Sequence, residues 1–383
     1  MRSRLIAAGV ALALLGLGGG ARLPASAGEP PLVRVGVAVE QPAVRIEGDG
    51  PISAVDLLAG SSALLIGGPW VFQPTATGMS ILGTTFGPAV RLTVQTGFLR
   101  VNGVPYRGVI ELRRTAAARV TAINEVDIEW YLYGVIKGEI DPHWPPEAVK
   151  AQAVAARTLA LENLASSHVK YPAEGYQLRA TTDSQVYLGV AGEDPAAIAA
   201  VEATRGLVAT FHGDPIFAAY HSNSGGHTED SENVWGTSHP YLRGVPDPFA
   251  LQAPGSQWAA RLPLSTIEED LRRRGVDVAG LVSVEPGRVT PWGRAITVRL
   301  VEEGGKSEDL SANQFRLVLG AGLIRSTMFT MTREGADMSF TGRGSGHGVG
   351  LDQWGARAMA LQGYTFEQIL SYYYTGISVE RRY

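Results

Sequence analysis

Two spacings of apolar residues divide the chain. Between 31 and 123, β-branched and apolar residues recur in short alternating runs at 32–39, 43–46, 63–66, 90–96 and 108–112, set off by Gly, Pro, Asn and Asp. This is the period-two pattern of strands bounded by turns. Val101-Asn102-Gly103-Val104 carries the Asn-Gly pair of a tight hairpin. From Pro145 the spacing becomes helical, alanine-rich, and runs to about Ser167. Proline opens its first turn and Glu147 sits near the positive end of its dipole. Lys150, Val154 and Arg157 fall at i, i+4 and i+7, on one stripe of this helix. The stretch before it reads as a strand-like approach from Asn124, followed by a turn that holds Glu139.

Later segments are shorter. Helices are predicted at 196–204, 265–274, from Ser311, after Leu351-Asp352-Gln353-Trp354-Gly355 to about Gln362, and from Thr365 to about Tyr374. A hairpin is predicted from 207–211 and 216–220 around Gly213-Asp214. The pattern predicts an α+β fold, strand-rich, with the long helix packed on a sheet. It divides into a β-rich region at 28–119 and a second domain at 120–383, whose segment at about 246–335 looks peripheral.

Composition narrows the class. Of 383 residues, 45% are hydrophobic and 18% charged, so the chain can bury a large core. A net charge of −4 gives no electrostatic case for nucleic acid. With no cysteine, neither a disulfide framework nor a thiolate zinc site can form. Residues 1–27 read as a secretory leader: Arg2 and Arg4, an apolar run from Leu5 to Leu17, then Ala25-Ser26-Ala27 as a cleavage site. The run is short for a bilayer span, and no second one follows. The expectation is an exported protein, periplasmic, wall-associated or secreted, with no membrane span beyond that segment.

Few side chains offer chemistry. Glu139 stands among Val135, Ile136, Ile140 and Trp144. Apolar surroundings raise a carboxyl's pKa toward use as a general acid, although an exposed turn glutamate would look the same. Lys150 and Arg157 could face a cleft shared with it, or only solvent. The run from Gly342 to Gly350 lacks the Gly-Lys-Ser/Thr ending of a phosphate loop and reads instead as a tight turn presenting His347. His221 and His227 are two histidines where zinc needs three or four ligands. Ser222 and Ser224 lack the elbow motif of a serine nucleophile.

Three motifs in order carry a resemblance: 135–158 with its GEIDPHWPPEAVKAQAVAART, 220–228 (YHSNSGGHT), and 342–356 (GRGSGHGVGLDQWGA) with the Tyr372-Tyr373-Tyr374-Thr375-Gly376 ending. The chain resembles the SpoIID/LytB family of peptidoglycan enzymes and amidase enhancers over roughly 120–378. The resemblance implies a lytic transglycosylase that cleaves the bond between N-acetylmuramic acid and N-acetylglucosamine, with a preference for strands stripped of stem peptides. It maps the family's catalytic glutamate onto Glu139 and its substrate-binding lysine and arginine onto Lys150 and Arg157. His221, Ser222 and Ser224 fall in the second motif, His347 and Gln353 in the third. Ile140 stands where the family often has methionine. Some sporulation members bind zinc through cysteine and histidine near the second motif; without cysteine, no metal or other cofactor is carried over.

A hydrolase ordinarily needs two carboxylates, whereas a lytic transglycosylase can use one. The expected partners are glycan strands and, in the enhancer reading, a cell-wall amidase. Two alternatives stand: a non-catalytic wall-binding enhancer of an N-acetylmuramoyl-L-alanine amidase, and a muramidase using Asp183 as second carboxylate.

Overall fold

A computed structural model describes residues 28–165, 171 and 173–383. The expected leader and the last two residues of the long helix, 166–167, lie outside the described residues. Two sheets form the N-terminal part. The larger has seven strands, in the order Leu178–Arg179, Leu32–Gln41, Val120–Asp127, Val109–Arg114, Ala89–Val94, Ile52–Asp56 and Ser62–Leu65. The second runs Val104–Tyr106, Leu99–Val101, Val44–Gly48, Trp70–Pro74, Met79–Ile81 and Thr84–Phe86. The alternating runs therefore became strands. Asn102 and Gly103, at φ 51° and 89°, make the tight turn between Leu99–Val101 and Val104–Tyr106.

Helix α1 spans Ile128–Glu139, where the sequence suggested a strand and a turn. Its Ile, Trp, Tyr and Val residues favour strands locally. Tertiary burial overrides that preference: Tyr131, Leu132, Val135 and Ile136 are all buried. Asp127 caps the helix by accepting from the Glu129 N–H. Helix α2, Pro146–Ala165, lies between two cores. Val149, Ala153, Ala156 and Ala160 pack with the N-terminal sheets and α1. Ala148, Ala151, Val154 and Ala155 pack with the C-terminal elements. Alanine at so many positions lets both layers approach closely. Helix α3, Pro195–Ala203, and the short α4, Ser231–Trp235, follow.

The segment after 246 builds a third core. Strands Gln257–Pro263, Phe329–Glu334 and Asp337–Arg343 form one small sheet, and Leu281–Pro286, Thr297–Glu302 and Ser307–Ser311 another. They pack with α5, Leu264–Arg273, and α6, Ala312–Leu319. Helices α7, Gln353–Leu361, and α8, Phe366–Tyr373, close the chain against α2. Among the described residues, no helix is long and apolar enough to cross a membrane.

One pairing organises the C-terminal half. Tyr220–His221 runs parallel to Leu351–Asp352. The expected hairpin strand at 216–220 is reduced to Asp214–Pro215, which frees Tyr220 and His221 for this pairing. The second and third motifs thereby become one structure.

Candidate active site

Glu139 is the last residue of α1, so the helix fixes where its carboxyl emerges. It borders a cavity of about 400 Å³, also lined by Asp183, Gln185, Phe217, Tyr220, Trp235 and His347. The first, second and third motifs each contribute, with Trp235 and the loop around Asp183. Burial raises the Glu139 pKa above its usual value of 4.5. The carbonyl end of α1 acts in the same direction. Two hydrogen bonds oppose it: Val186 N–H donates to Oε1 at 2.7 Å, and the Tyr220 hydroxyl donates to the carboxyl.

Tyr220 is itself held. Tyr131 O–H donates to Gln185 Oε1 at 3.1 Å, and Gln185 Nε2 donates to the Tyr220 hydroxyl at 3.1 Å. The chain Tyr131–Gln185–Tyr220–Glu139 orients the carboxyl through neutral groups alone. Each member polarises the next in a low-dielectric setting. Sequence reasoning gave Tyr220 and Gln185 no role. They stand inside the quoted stretches, but an uncharged hydrogen-bonding residue gives no signal until its partners are placed.

The expected pair of cations is not at this cavity. Arg157 is fully buried, with Nε and Nη2 donating to both oxygens of Glu129 at 3.0 and 2.7 Å. Its remaining hydrogens go to Thr204 Oγ1, Leu207 O and Val201 O. Glu129 also accepts from Tyr383 O–H and Gly206 N–H. Arg157 thus ties α1, α2, α3 and the C-terminus together. Lys150 donates to Glu147 at 2.7 Å and borders a different cavity with His143 and Trp144. The shared-cleft expectation is corrected: the stripe carrying both cations is divided between a buried ion pair and another surface. Burial of Glu139 is consequently not offset by either charge.

His347 lines the cavity as a neutral imidazole. Val349 N–H donates to its Nδ1 at 3.1 Å, so the proton resides on Nε2, which donates to the Tyr220 carbonyl. Burial, with Arg316 and Arg294 nearby, pushes its pKa down to about 3. His221 lies beside it, the rings tilted by 57° with centroids 5.4 Å apart. Its Nδ1–H donates to Val349 O at 3.1 Å, and burial likewise lowers its pKa far below 6.5. Neither histidine is poised to exchange protons near neutral pH. Both brace the glycine-rich loop. Gly350 runs so close to the 219–221 backbone that a Cβ there would lie 2.2 Å from Ala219 O.

Ser224 is a structural serine. Its hydroxyl donates to Asp247 at 2.9 Å and its N–H to Asp352 at 2.5 Å. Asp352 also caps α7 through Gly355 N–H. Burial and the adjoining Asp247 push the Asp352 carboxyl's pKa well above the usual range, and Tyr373 O–H donates to Asp247. Arg294 enters from the segment expected to be peripheral. It donates to Ser224 O at 2.6 Å and lies 3.7 Å from Glu229, fully buried. Ser222 accepts the Trp354 N–H through its carbonyl, and Gln353 donates to Gln152 of α2 at 3.3 Å. Of the residues singled out in sequence, Glu139, Asp183 and His347 share the cavity wall. His221, Ser222, Ser224 and Gln353 build the scaffold behind it.

Comparison with known proteins places the chain in a family. The Stage II sporulation protein family (SpoIID) matches residues 116–211, from the strand before α1 to the strand after α3. Stage II sporulation protein D of Bacillus amyloliquefaciens is 32% identical over 269 residues, 67% of this chain and 75% of that protein. The Bacillus subtilis protein of the same name is 31% identical, over 67% of this chain and 76% of its own. The amidase enhancer of Bacillus subtilis is 30% identical over 65% of this chain, which spans only 40% of that relative. The matched region holds α1 with Glu139, α2 with Arg157 and the Gln185 loop, and the chain belongs to the SpoIID/LytB family.

Proposed function

We propose that the protein is an exported lytic transglycosylase that cleaves peptidoglycan glycan strands, with Glu139 as its one acid/base. The observation that carries this is a carboxyl at a cavity wall whose burial favours the protonated form and whose orientation comes from neutral donors. Val186 N–H occupies Oε1, which leaves Oε2 to carry the transferable proton. That proton passes to the oxygen bridging N-acetylmuramic acid and N-acetylglucosamine as the C1–O4 bond breaks. The resulting carboxylate then takes the proton of the muramic 6-hydroxyl, whose oxygen bonds to C1. The 1,6-anhydro ring closes without water, and Glu139 returns to its protonated state. Trp235 and Phe217 offer aromatic surface to the C–H faces of the sugars.

Activity requires protonated Glu139, so it falls as pH rises through that group's pKa, above the ordinary 4.5. The Tyr220 hydrogen bond lowers this pKa. Tyr220→Phe therefore moves the alkaline limb of the pH–rate profile to higher pH. A limb unmoved by the substitution would separate Tyr220 from Glu139.

Asp183 also lines the cavity, within 3.5 Å of Arg179, and this supports the muramidase reading as the second possibility. It sits on the exposed rim. In the enhancer reading, which one relative's name supports, the same groove would hold glycan without cutting it. Glycan strands freed of stem peptides and incubated with this protein alone separate catalysis from enhancement. Soluble fragments are expected; strands left uncut, together with faster peptide release from intact peptidoglycan when an amidase is added, would favour the enhancer.

A further inference from the structure

Between Leu57 and Val90 the chain contains no Asp, Glu, Lys, Arg or His, although 18% of the whole is charged. This stretch forms the outer hairpins of both N-terminal sheets, and it is not buried. Leu58 is 78% exposed, Leu64 64%, Ile66 69% and Leu82 90%. Three of these stand at strand ends or turns: Leu58 after Ile52–Asp56, Ile66 after Ser62–Leu65, Leu82 between Met79–Ile81 and Thr84–Phe86. Leu82 has φ 45°, a left-handed conformation that a leucine rarely adopts. Apolar residues at hairpin tips gain nothing in water, and exposed apolar residues that lie together mark an interaction surface.

The topology gathers several of them. Ser62–Leu65 leads through Ile66 and Gly67-Gly68-Pro69 into Trp70–Pro74. Pro74 pairs with Met79, so Ile81 and Leu82 return beside the start of that strand, near the half-exposed Val71. The register also carries this end of the large sheet across to the chain's beginning. Leu65 pairs with Ile52, Ile52 with Val94, Leu92 with Ile110, Val109 with Glu125, and Asp127 with Leu32. The Ile66 tip and the point where the chain enters the sheet thus share one end.

We propose that these charge-free hairpin tips rest on a phospholipid bilayer, with Ile66 and Leu82 inserted into its interfacial layer and Arg45, which pairs with Val71, at the level of the headgroups. A protein interface tolerates charge, especially at its rim. A lipid interface that swallows hairpin tips favours segments free of charge, because an ion carried toward the hydrocarbon is costly. Separate protruding tips suit a deformable surface better than a rigid one. The proposal is independent of the chemistry assigned to Glu139.

The absence of cysteine permits a direct test on the full chain. Single variants Ile66→Cys, Leu82→Cys and, as a control, Glu269→Cys on α5 are labelled with an environment-sensitive nitrobenzoxadiazole dye. Each is mixed with vesicles of phosphatidylethanolamine and phosphatidylglycerol, with and without brominated acyl chains. Labels at 66 and 82 are expected to shift to the blue severalfold more intensely and to be quenched by bromine, equally at low and high salt. The label at 269 should not change. All three positions are exposed, so circular dichroism matching the unsubstituted chain confirms folding. Labels at 66 and 82 that keep their aqueous spectrum with vesicles overturn the proposal. A blue shift that grows with protein concentration without lipid overturns it as well, since it would assign the face to a second copy.

Discussion

Glu139→Gln is expected to abolish glycan cleavage while leaving the fold as stable as before, or more so. The substitution keeps an oxygen for the Val186 N–H, which is 2.7 Å from Oε1, and preserves the side-chain shape. It removes the group that gives the first proton and takes up the second. General acid–base catalysis contributes about 10²–10⁴-fold, and here one group serves in both steps, so the loss should reach at least that range. The stability effect has a definite sign. Burial raises the folded-state pKa of Glu139, so the folded protein binds its proton more tightly than the unfolded chain. The resulting penalty is absent below the unfolded pKa and develops as pH rises through it. Glutamine has no such penalty. Thermal melts should therefore place the variant at or above wild type near neutral pH, with the difference vanishing in acid. A large drop in melting temperature would show that the carboxylate has a structural partner.

Arg157→Met should be the most damaging substitution to the fold. It removes one half of an ion pair in which both side chains are wholly inaccessible to water. Glu129 would then be left buried with Tyr383 O–H and Gly206 N–H as its remaining donors. Breaking a buried pair in this way costs about 3–5 kcal/mol, visible as a lowered urea midpoint. Arg157→Lys should recover little, because an ammonium cannot donate from two nitrogens in a fixed plane. Replacing Glu129 as well should recover part of the loss. Residual activity should track the folded fraction. Loss of activity in fully folded Arg157→Lys would show that the arginine reaches the substrate.

Much of the architecture was legible because one periodicity usually dominated each segment. The N-terminal strands alternate, the Asn102-Gly103 turn has its own chemistry, and α2 begins at its prolines. Helix α1 was not legible: a helix buried on most sides shows no polar face, and its Tyr, Trp, Ile and Val residues mimic a strand. The error moved Glu139 from a helix end to a turn without changing its identity as the candidate acid. The cations show the opposite limit. Spacing correctly put Lys150 and Arg157 on one stripe, but it cannot tell whether a stripe faces a cavity, a partner carboxylate or solvent. Glu129, the partner that claims Arg157, lies 28 residues earlier. Arg294 is further still from the motif it braces, 70 residues from Ser224. Tyr220 and Gln185 emerge only when α1 and the 220–221 strand come together around the same carboxyl.

The central claim is that one carboxyl, acting first as acid and then as base, cleaves the strand without water. Mass spectrometry of fragments released from purified, stem-peptide-free glycan strands tests it most directly, with wild type and Glu139→Gln compared side by side. The account predicts muramic ends carrying a 1,6-anhydro ring, one water lighter than a reducing end, from wild type and none from the variant. Free reducing ends from wild type, or undiminished anhydro product from Glu139→Gln, would contradict it.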